Sequence, residues 1–80
     1  MNISTSIYAE LSNALLSNSK YASADKDPKL LRNTVIEDAI KMDKELIQIL
    51  LDNPKLKSKF FTEINGVLVF DKIEFNYVIN

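Results

Sequence analysis

The chain has 80 residues, 46% of them hydrophobic, and its 10 basic and 11 acidic side chains give a net charge of −1. This length accommodates one small domain, and the lack of cysteine and histidine excludes disulfides and zinc sites built on those residues. The balanced charge argues against a protein that binds nucleic acid or acidic membranes over its whole surface. No apolar run approaches the roughly 20 residues of a membrane span, and the first residues lack a secretory signal, so a cytoplasmic protein is expected.

The first predicted element is an amphipathic helix within residues 1–17. Its apolar residues recur at four-residue spacing and therefore share one face: Ile3, Ile7, Leu11 and Leu15. Residues 18–27 are small and polar and break this period. They are predicted to be a linker, which leaves the first helix detached from the rest of the chain.

Three cap signals divide the middle of the chain into short helices. Asp27, Asp43 and Asn53 are favourable N-cap residues, and a proline suited to the first helical turn follows two of them. The second of these helices is apolar on most sides over residues 46–51. It is therefore expected to form the buried centre of the domain.

A β-hairpin is predicted around Asn65-Gly66. A two-residue type I′ turn needs positive φ at both central residues, which asparagine and glycine tolerate best. Residues 61–64 and 67–70 are β-prone and flank the turn. The predicted hairpin is the single β element of the chain.

The end of the chain is compatible with two structures. Apolar residues alternate over residues 73–79, as in a strand. Asp71 with Glu74 resembles a capping box, and Phe70 with Phe75 is placed to form a hydrophobic staple, which favours a short helix. The predicted fold is therefore mainly α with one hairpin (α+β), with about five short helices and a helical domain at residues 28–80.

Most catalytic schemes are excluded by composition. No histidine or cysteine is available as base or nucleophile, and the single glycine, Gly66, cannot build a phosphate-binding loop. The acidic neighbours Glu37/Asp38 and Asp43/Glu45 point to different sides of a helix, so they are interpreted as solvated faces and caps. No catalytic, cofactor-binding or metal-binding residue is predicted.

A local cluster of lysines is the candidate nucleic-acid contact. Lys55, Lys57 and Lys59 lie in a segment without acidic residues, and Lys55 and Lys59 share a helix face. They are suited to phosphate contact, although the balanced charge favours an ordinary solvated helix. Three helices followed by a hairpin also match the order of a winged helix-turn-helix, but the wing tip has no basic residue.

The aromatic side chains have two interpretations. They are suited to a base-stacking platform or to the core of a junction between helices and hairpin, and the second is favoured because large rings bury much area. The residues concerned are Phe60, Phe61, Phe70, Phe75 and Tyr77.

Five short stretches together resemble a known family. They are LLRNTVIE at 30–37, MDKELI at 42–47, FFTE at 60–63, NGVLVFDK at 65–72 and FNYVIN at 75–80. In this order they resemble the N-terminal domain of the methylation subunit of type III restriction-modification systems, over residues 29–80. The likeness depends on the ordered set, because none of the stretches is an active-site motif.

This resemblance implies a bacterial DNA adenine-N6 methyltransferase that uses S-adenosylmethionine and pairs with a restriction subunit. The cofactor loop and the Asp-Pro-Pro-Tyr motif of that family lie further along and are missing here, so no catalytic residue carries over. The chain is expected to be a non-catalytic domain that packs on the remainder of the subunit, helps a homodimer form or touches DNA.

One surface is expected to serve that role. The region near Phe75 and Tyr77 is predicted to be incompletely covered and to pair with a partner. The alternatives are a free-standing winged-helix DNA-binding domain that uses the three lysines, and a protein–protein docking module without DNA contact.

Overall fold

The computed structural model describes residues 6–24 and 26–80. In chain order the elements are α1 (Ile7–Leu16), α2 (Ser19–Ala22), α3 (Pro28–Ile40), α4 (Lys44–Asp52), α5 (Pro54–Phe60), β1 (Phe61–Ile64), β2 (Val67–Phe70) and α6 (Lys72–Ile79). The predicted fold class, mainly α with one hairpin, is confirmed. The described residues contain one helix more than predicted, and Ile3 of the predicted first helix lies outside them.

The predicted helix starts are confirmed. The side chains of Asp27, Asp43 and Asn53 each accept backbone N–H groups from the first turn of their own helix, at 3.0–3.3 Å. Pro28 and Pro54 occupy the first turns of α3 and α5, where a missing N–H costs nothing. These local contacts explain why short helices follow one another through tight corners.

The corner between α3 and α4 is a Schellman motif with methionine in the place usually taken by glycine. Met42 has a φ of 56° and donates its N–H to the carbonyl of Ala39 at 3.1 Å. Asp43 donates its N–H to the carbonyl of Asp38 at 2.9 Å. Both bonds satisfy carbonyls at the end of α3, and the second positions the cap of α4.

The hairpin and the last helix form as the local signals predict. Asn65 and Gly66 have φ values of 52° and 80°, and the strands pair antiparallel from Ile64↔Val67 outward. Asp71 accepts the backbone N–H of Glu74 at 3.0 Å and caps α6, so residues 72–79 are helical. The other half of the predicted capping box does not form, because the Asp71 N–H donates to the carbonyl of Phe60 at 2.7 Å. The strand alternative for this segment is therefore wrong.

The first helix is part of the core. Leu11 and Leu15 of α1 are completely buried, and α1 packs against α4, α5 and α2. The expectation of a detached helix is therefore wrong. Four-residue spacing predicts which face of a helix is apolar but contains no information about what covers that face.

The segment predicted as a linker is also packed. Residues 18–27 contain α2, and Tyr21 of this helix is 1% exposed. Ala24 is buried as well, while Asp25 lies outside the described residues. A helix of four residues is too short to show a hydrophobic period, so the segment has the composition of a linker although it contributes to the core.

The core runs through all the helices. Its buried hydrophobic residues are Leu11, Leu15, Tyr21, Ala24, Leu31, Val35, Ala39, Leu46, Leu50, Leu56, Phe60, Phe70, Phe75 and Ile79. Helix α4 buries Leu46 and Leu50, but Ile47 and Ile49 are only half-buried. The expectation of a buried central helix therefore holds for one face of α4.

Candidate interaction surface

The two faces of the hairpin have different environments. The pairs Phe61↔Phe70 and Glu63↔Leu68 lie on one face, because directly opposed residues of an antiparallel pair point the same way. On this face the Phe61 and Phe70 rings are 5.3 Å apart, and Phe70 is 5.5 Å from Phe75 in the core. This inner face attaches the hairpin to the helices.

The outer face of the hairpin is apolar and uncovered. It consists of Thr62, Ile64, Val67 and Val69, and it contains no charged residue. Ile64, Val67 and Val69 are 53%, 61% and 43% exposed. Because burial of apolar surface is favourable, further protein packed on this face would add stability.

Helix α6 extends the uncovered surface. Ile73 and Tyr77, four residues apart on one side of the helix, are 84% and 79% exposed. Ile73 lies beside Ile64 and Val69 of the hairpin, and on its other side it lies beside Ile40 of α3. We call this continuous surface the apolar face, formed by Ile40, Ile64, Val67, Val69, Ile73 and Tyr77.

A groove runs between α3 and α6 within this region. The α3–α6 groove has a volume of about 370 Å³ and is open to solvent. Its lining residues are Ile36, Ala39, Ile40, Lys72, Ile73, Phe75 and Asn76. Ala39 and Phe75 are buried and form the floor, whereas the strongly exposed Ile40 and Ile73 stand at the rims.

The two predicted contact residues, Phe75 and Tyr77, differ in their exposure to solvent. Tyr77 is exposed, so it is available to a partner, and its interpretation as a core residue is wrong. Phe75 is 1% exposed and packs edge-to-face on Phe60 at 5.2 Å, so it supports the surface from below. Residues three and four apart share a helix face, while residues two apart point to different sides.

The lysine cluster is partly neutralised within the fold. The ammonium of Lys59 is 2.7 Å from the Glu74 carboxylate, and that of Lys55 is 3.9 Å from Glu10. Lys57 is exposed and makes no ion pair with any carboxylate of residues 6–24 and 26–80. The structure thus leaves Lys57 as the most available cation of α5.

A polar cluster that is not among the sequence predictions joins α2 to α3 and α4. The Tyr21 hydroxyl donates to the Asp38 carboxylate at 2.6 Å, and the Lys20 ammonium lies 2.7 Å from Asp43 and 3.4 Å from Asp38. Asp38 is 8% exposed, so its interpretation as a solvated residue is wrong. The partners are far apart in the chain, and no local pattern indicates such a pairing.

Burial and pairing change the acidity of this cluster. Burial, followed by the hydrogen bond to Asp38, raises the pKa of the Tyr21 hydroxyl far above its usual value. The hydrogen bond with Asp43 raises the pKa of Lys20, and the same bond lowers the pKa of Asp43. Tyrosine therefore stays a donor and Asp43 an acceptor, which suits a structural contact.

The described part of the chain lacks two further kinds of feature. Within residues 6–24 and 26–80, no cluster of three or more acidic, histidine or cysteine side chains is arranged to hold a metal ion. No helix in these ranges combines the length and apolarity needed to cross a bilayer.

Comparison with known proteins identifies the family. The family model of the type III restriction/modification enzyme methylation subunit matches residues 43–80, which include α4, α5, the hairpin and α6. A curated relative, the probable type III restriction-modification enzyme HindVI Mod subunit of Haemophilus influenzae, is 38% identical over 76 residues, or 95% of this chain. The chain belongs to the type III methylation-subunit family. The resemblance found in the sequence is thereby confirmed.

The match covers a small part of the relative. The aligned segment amounts to 10% of the HindVI Mod subunit, so the chain spans about one tenth of the length of this type III relative. No solved structure gives a significant match to the chain.

Proposed function

We propose that this chain is a non-catalytic N-terminal domain of a type III methylation subunit, and that it acts in assembly by packing its apolar face against the rest of the enzyme. The observation that carries the proposal is the continuity of that face, whose six large side chains are 43–84% exposed. Large contiguous apolar patches on soluble domains are typical of interaction sites.

The chemistry that the family resemblance implies belongs outside this chain. We assign no described residue to S-adenosylmethionine, because the lining of the α3–α6 groove has no carboxylate and Gly66 occupies the hairpin turn. We therefore assign no methyl-transfer step to these residues. Methylation of adenine in DNA, together with the restriction subunit as a partner, is proposed for the whole cytoplasmic enzyme.

Hydrogen exchange of the hairpin tests the assembly role. We expect amides of β1 and β2 to exchange more slowly in the intact methylation subunit than in the 80-residue chain, because packing of the outer face suppresses local opening. Replacing Val67 and Val69 by serine in the intact subunit should restore fast exchange. The matched control is Leu30→Ser, an apolar residue that is 51% exposed and lies at the opposite end of α3 from Ile40.

Two results would contradict the assembly role. Equal exchange of the hairpin in the isolated chain and the intact subunit would show that nothing covers the outer face. An equal effect of Leu30→Ser and of the double serine variant would show that the apolar face has no special part.

A second candidate function is accessory DNA contact through α5, favoured by the availability of Lys57. Each phosphate contact lowers the slope of log K against log salt by about 0.9, so Lys57→Gln should flatten that slope by roughly this amount. The matched control is Lys59→Gln, because the native Lys59 side chain already contacts Glu74. An unchanged slope for Lys57→Gln in the intact subunit leaves assembly as the role of this domain.

A further inference from the structure

The α3–α6 groove has a shape that can accept the side chains of another structural element. Ile36 and Ile40 are one turn apart on α3 and form one ridge, and Ile73 stands on the opposite side. Between them the small Ala39 leaves a depression above the Phe75 ring. Ridges of another element can enter such a depression and remove the exposed rims from water.

The walls of the groove determine which kind of backbone can enter it. Both walls are helices, whose backbone N–H and C=O groups are bonded within each helix except at its ends. The N–H groups of the first turn of α6 point along the helix axis and do not form the row of partners that an added strand needs, so an occupant has to satisfy its own backbone hydrogen bonds. A helix does so, and its apolar residues at i, i+3 or i+4 and i+7 match a groove between two helices.

The charge in the groove adds a second requirement. Lys72 is the one charged residue in the lining, and it makes no ion pair with a carboxylate among the described residues. Glu74, the acid in the first turn of the same helix, is already engaged with Lys59 at 2.7 Å. The occupant that complements this groove is therefore apolar along one face and carries an acidic side chain opposite Lys72.

We infer that the α3–α6 groove holds an amphipathic helix from the remainder of the same methylation subunit, with an acidic residue of that helix facing Lys72. This inference rests on the proposed function and names the partner of the apolar face. Most of the type III relative lies outside the aligned 10%, so a long covalently linked polypeptide is available. Covalent linkage gives a segment an effective concentration in the millimolar range, which favours it over a separate molecule.

A second copy of this chain complements the groove less well. The exposed apolar stripe that a partner copy would insert is that of α6, Ile73 and Tyr77. That stripe begins at Lys72, which would bring another cation to the groove, while Glu74 is engaged within its own copy.

Photo-crosslinking in the intact methylation subunit tests the inference. Benzoylphenylalanine is placed at position 73, where the native isoleucine is 84% exposed, so folding is not at risk. We expect a crosslink within the same polypeptide, to an amphipathic segment that contains an acidic residue. Position 30 on the far end of α3 is the matched control and should give no such product.

The alternatives give different products. A crosslinked band at twice the subunit mass would identify a second copy, and a band containing the restriction subunit would identify that protein; either overturns the inference. A same-chain crosslink from position 67 of the hairpin with none from position 73 would overturn the groove assignment and retain the assembly role. The lack of a crosslink from either position 67 or position 73 would overturn both the groove assignment and the assembly role.

The charge requirement has its own test. Lys72→Glu should lower the crosslinking yield at position 73 by about two- to fivefold, which corresponds to an ion pair of roughly 0.5–1 kcal/mol. Lys41→Glu, an exposed lysine outside the groove lining, is the control for net charge. Replacing the acidic residue found in the crosslinked segment by lysine should restore the yield in the Lys72→Glu variant. An unchanged yield for Lys72→Glu would overturn the assignment of an acidic partner.

Discussion

Tyr21 shows how one residue can connect three elements. Its ring is buried beside the core, and its hydroxyl donates to Asp38, while the neighbouring Lys20 reaches Asp43 at the start of α4. A buried polar group stabilises a fold only if its hydrogen bonds are made, and here they are. The short segment after α1 is thereby held against the domain instead of serving as a spacer.

Removing the Tyr21 hydroxyl should therefore lower the stability of the domain. We expect Tyr21→Phe to lower the free energy of unfolding by about 1.5–3 kcal/mol, because a buried hydrogen bond to a charged acceptor is lost. Urea unfolding of the 80-residue chain measures this difference. Tyr8→Phe, at a tyrosine that is 46% exposed, is the matched control and should change stability by less than about 0.5 kcal/mol.

Asp43 should contribute to the loss of stability in acid. Its pKa is lowered by the hydrogen bond from Lys20 and then by the backbone N–H of Leu46. A carboxyl with a depressed pKa adds stability that is fully present above its unfolded value of about 3.9 and is lost as pH falls through the folded pKa.

The variant Asp43→Asn isolates this contribution, because asparagine keeps the oxygen that caps α4. Urea unfolding as a function of pH should show a smaller loss of stability between about pH 5 and about pH 2 than in the native chain. Asp27→Asn makes the same exchange at the cap of α3, where no lysine of residues 6–24 and 26–80 forms an ion pair. Parallel pH curves for the native chain and Asp43→Asn would contradict the assignment.

Among the elements, the end of α3 is conformationally strained. Met42 holds a φ of 56°, in the left-handed region that a side chain with a Cβ disfavours by about 1–2 kcal/mol. The corner keeps this conformation because both Schellman hydrogen bonds and the cap of α4 depend on it. The sequence shows neither glycine nor asparagine here, so the cap signal at Asp43 was visible while the left-handed residue before it was not.

Glycine at position 42 should relieve this strain. We expect Met42→Gly to raise the free energy of unfolding by about 0.5–1 kcal/mol, since the removed strain exceeds the entropy that glycine adds to the unfolded chain. The control is Lys41→Gly at the preceding right-handed residue (φ −80°), which should lower stability by up to about 1 kcal/mol. Thermal unfolding distinguishes the expected gain in stability of Met42→Gly from the expected loss in Lys41→Gly. A loss of stability in both variants would argue against strain at Met42.

The hairpin shows which structural features of an element local sequence signals determine. Asn65 and Gly66 determine the type of turn, and a turn of two residues fixes the register of the two strands. The aromatic residues at the base of the hairpin then place one face on the core. The exposure of the other face depends on what else packs there, and strand propensity carries no information about that.

In the whole molecule, α1 closes the core from one side. Leu15 of α1 is fully buried, the helix packs against α4 and α5, and its Glu10 accepts a hydrogen bond from Asn53 at the α4–α5 corner at 3.2 Å. A domain of 80 residues has little stability to spare, so the contribution of this helix should be large relative to the total.

Leu15→Ala should therefore be severely destabilising. We expect a loss of about 2–5 kcal/mol in the free energy of unfolding, from the lost burial and the cavity left behind. Leu30→Ala, at an exposed position, should cost less than about 0.5 kcal/mol. Equal, small effects in denaturant unfolding would mean that α1 is detached after all.

The sequence by itself determined the local features of this protein and its family. Caps at Asp27, Asp43, Asn53 and Asp71 and the turn at Asn65 depend on neighbours within four residues, and all are present in the structure. The ordered stretches that resemble a type III methylation subunit are equally local, and the comparisons confirm that family.

Only the tertiary structure decided which apolar faces are covered. It packs α1 on α4 and α5, pairs Tyr21 with Asp38 across 17 residues, buries Phe75 and exposes Tyr77. Each of these outcomes depends on a meeting of residues distant in the chain, whereas caps, turns and periodicity report only on a residue's own neighbourhood. For the same reason the sequence indicated an uncovered region near Phe75 and Tyr77 but not that α3, about 30 residues away in the chain, forms the second wall of the groove.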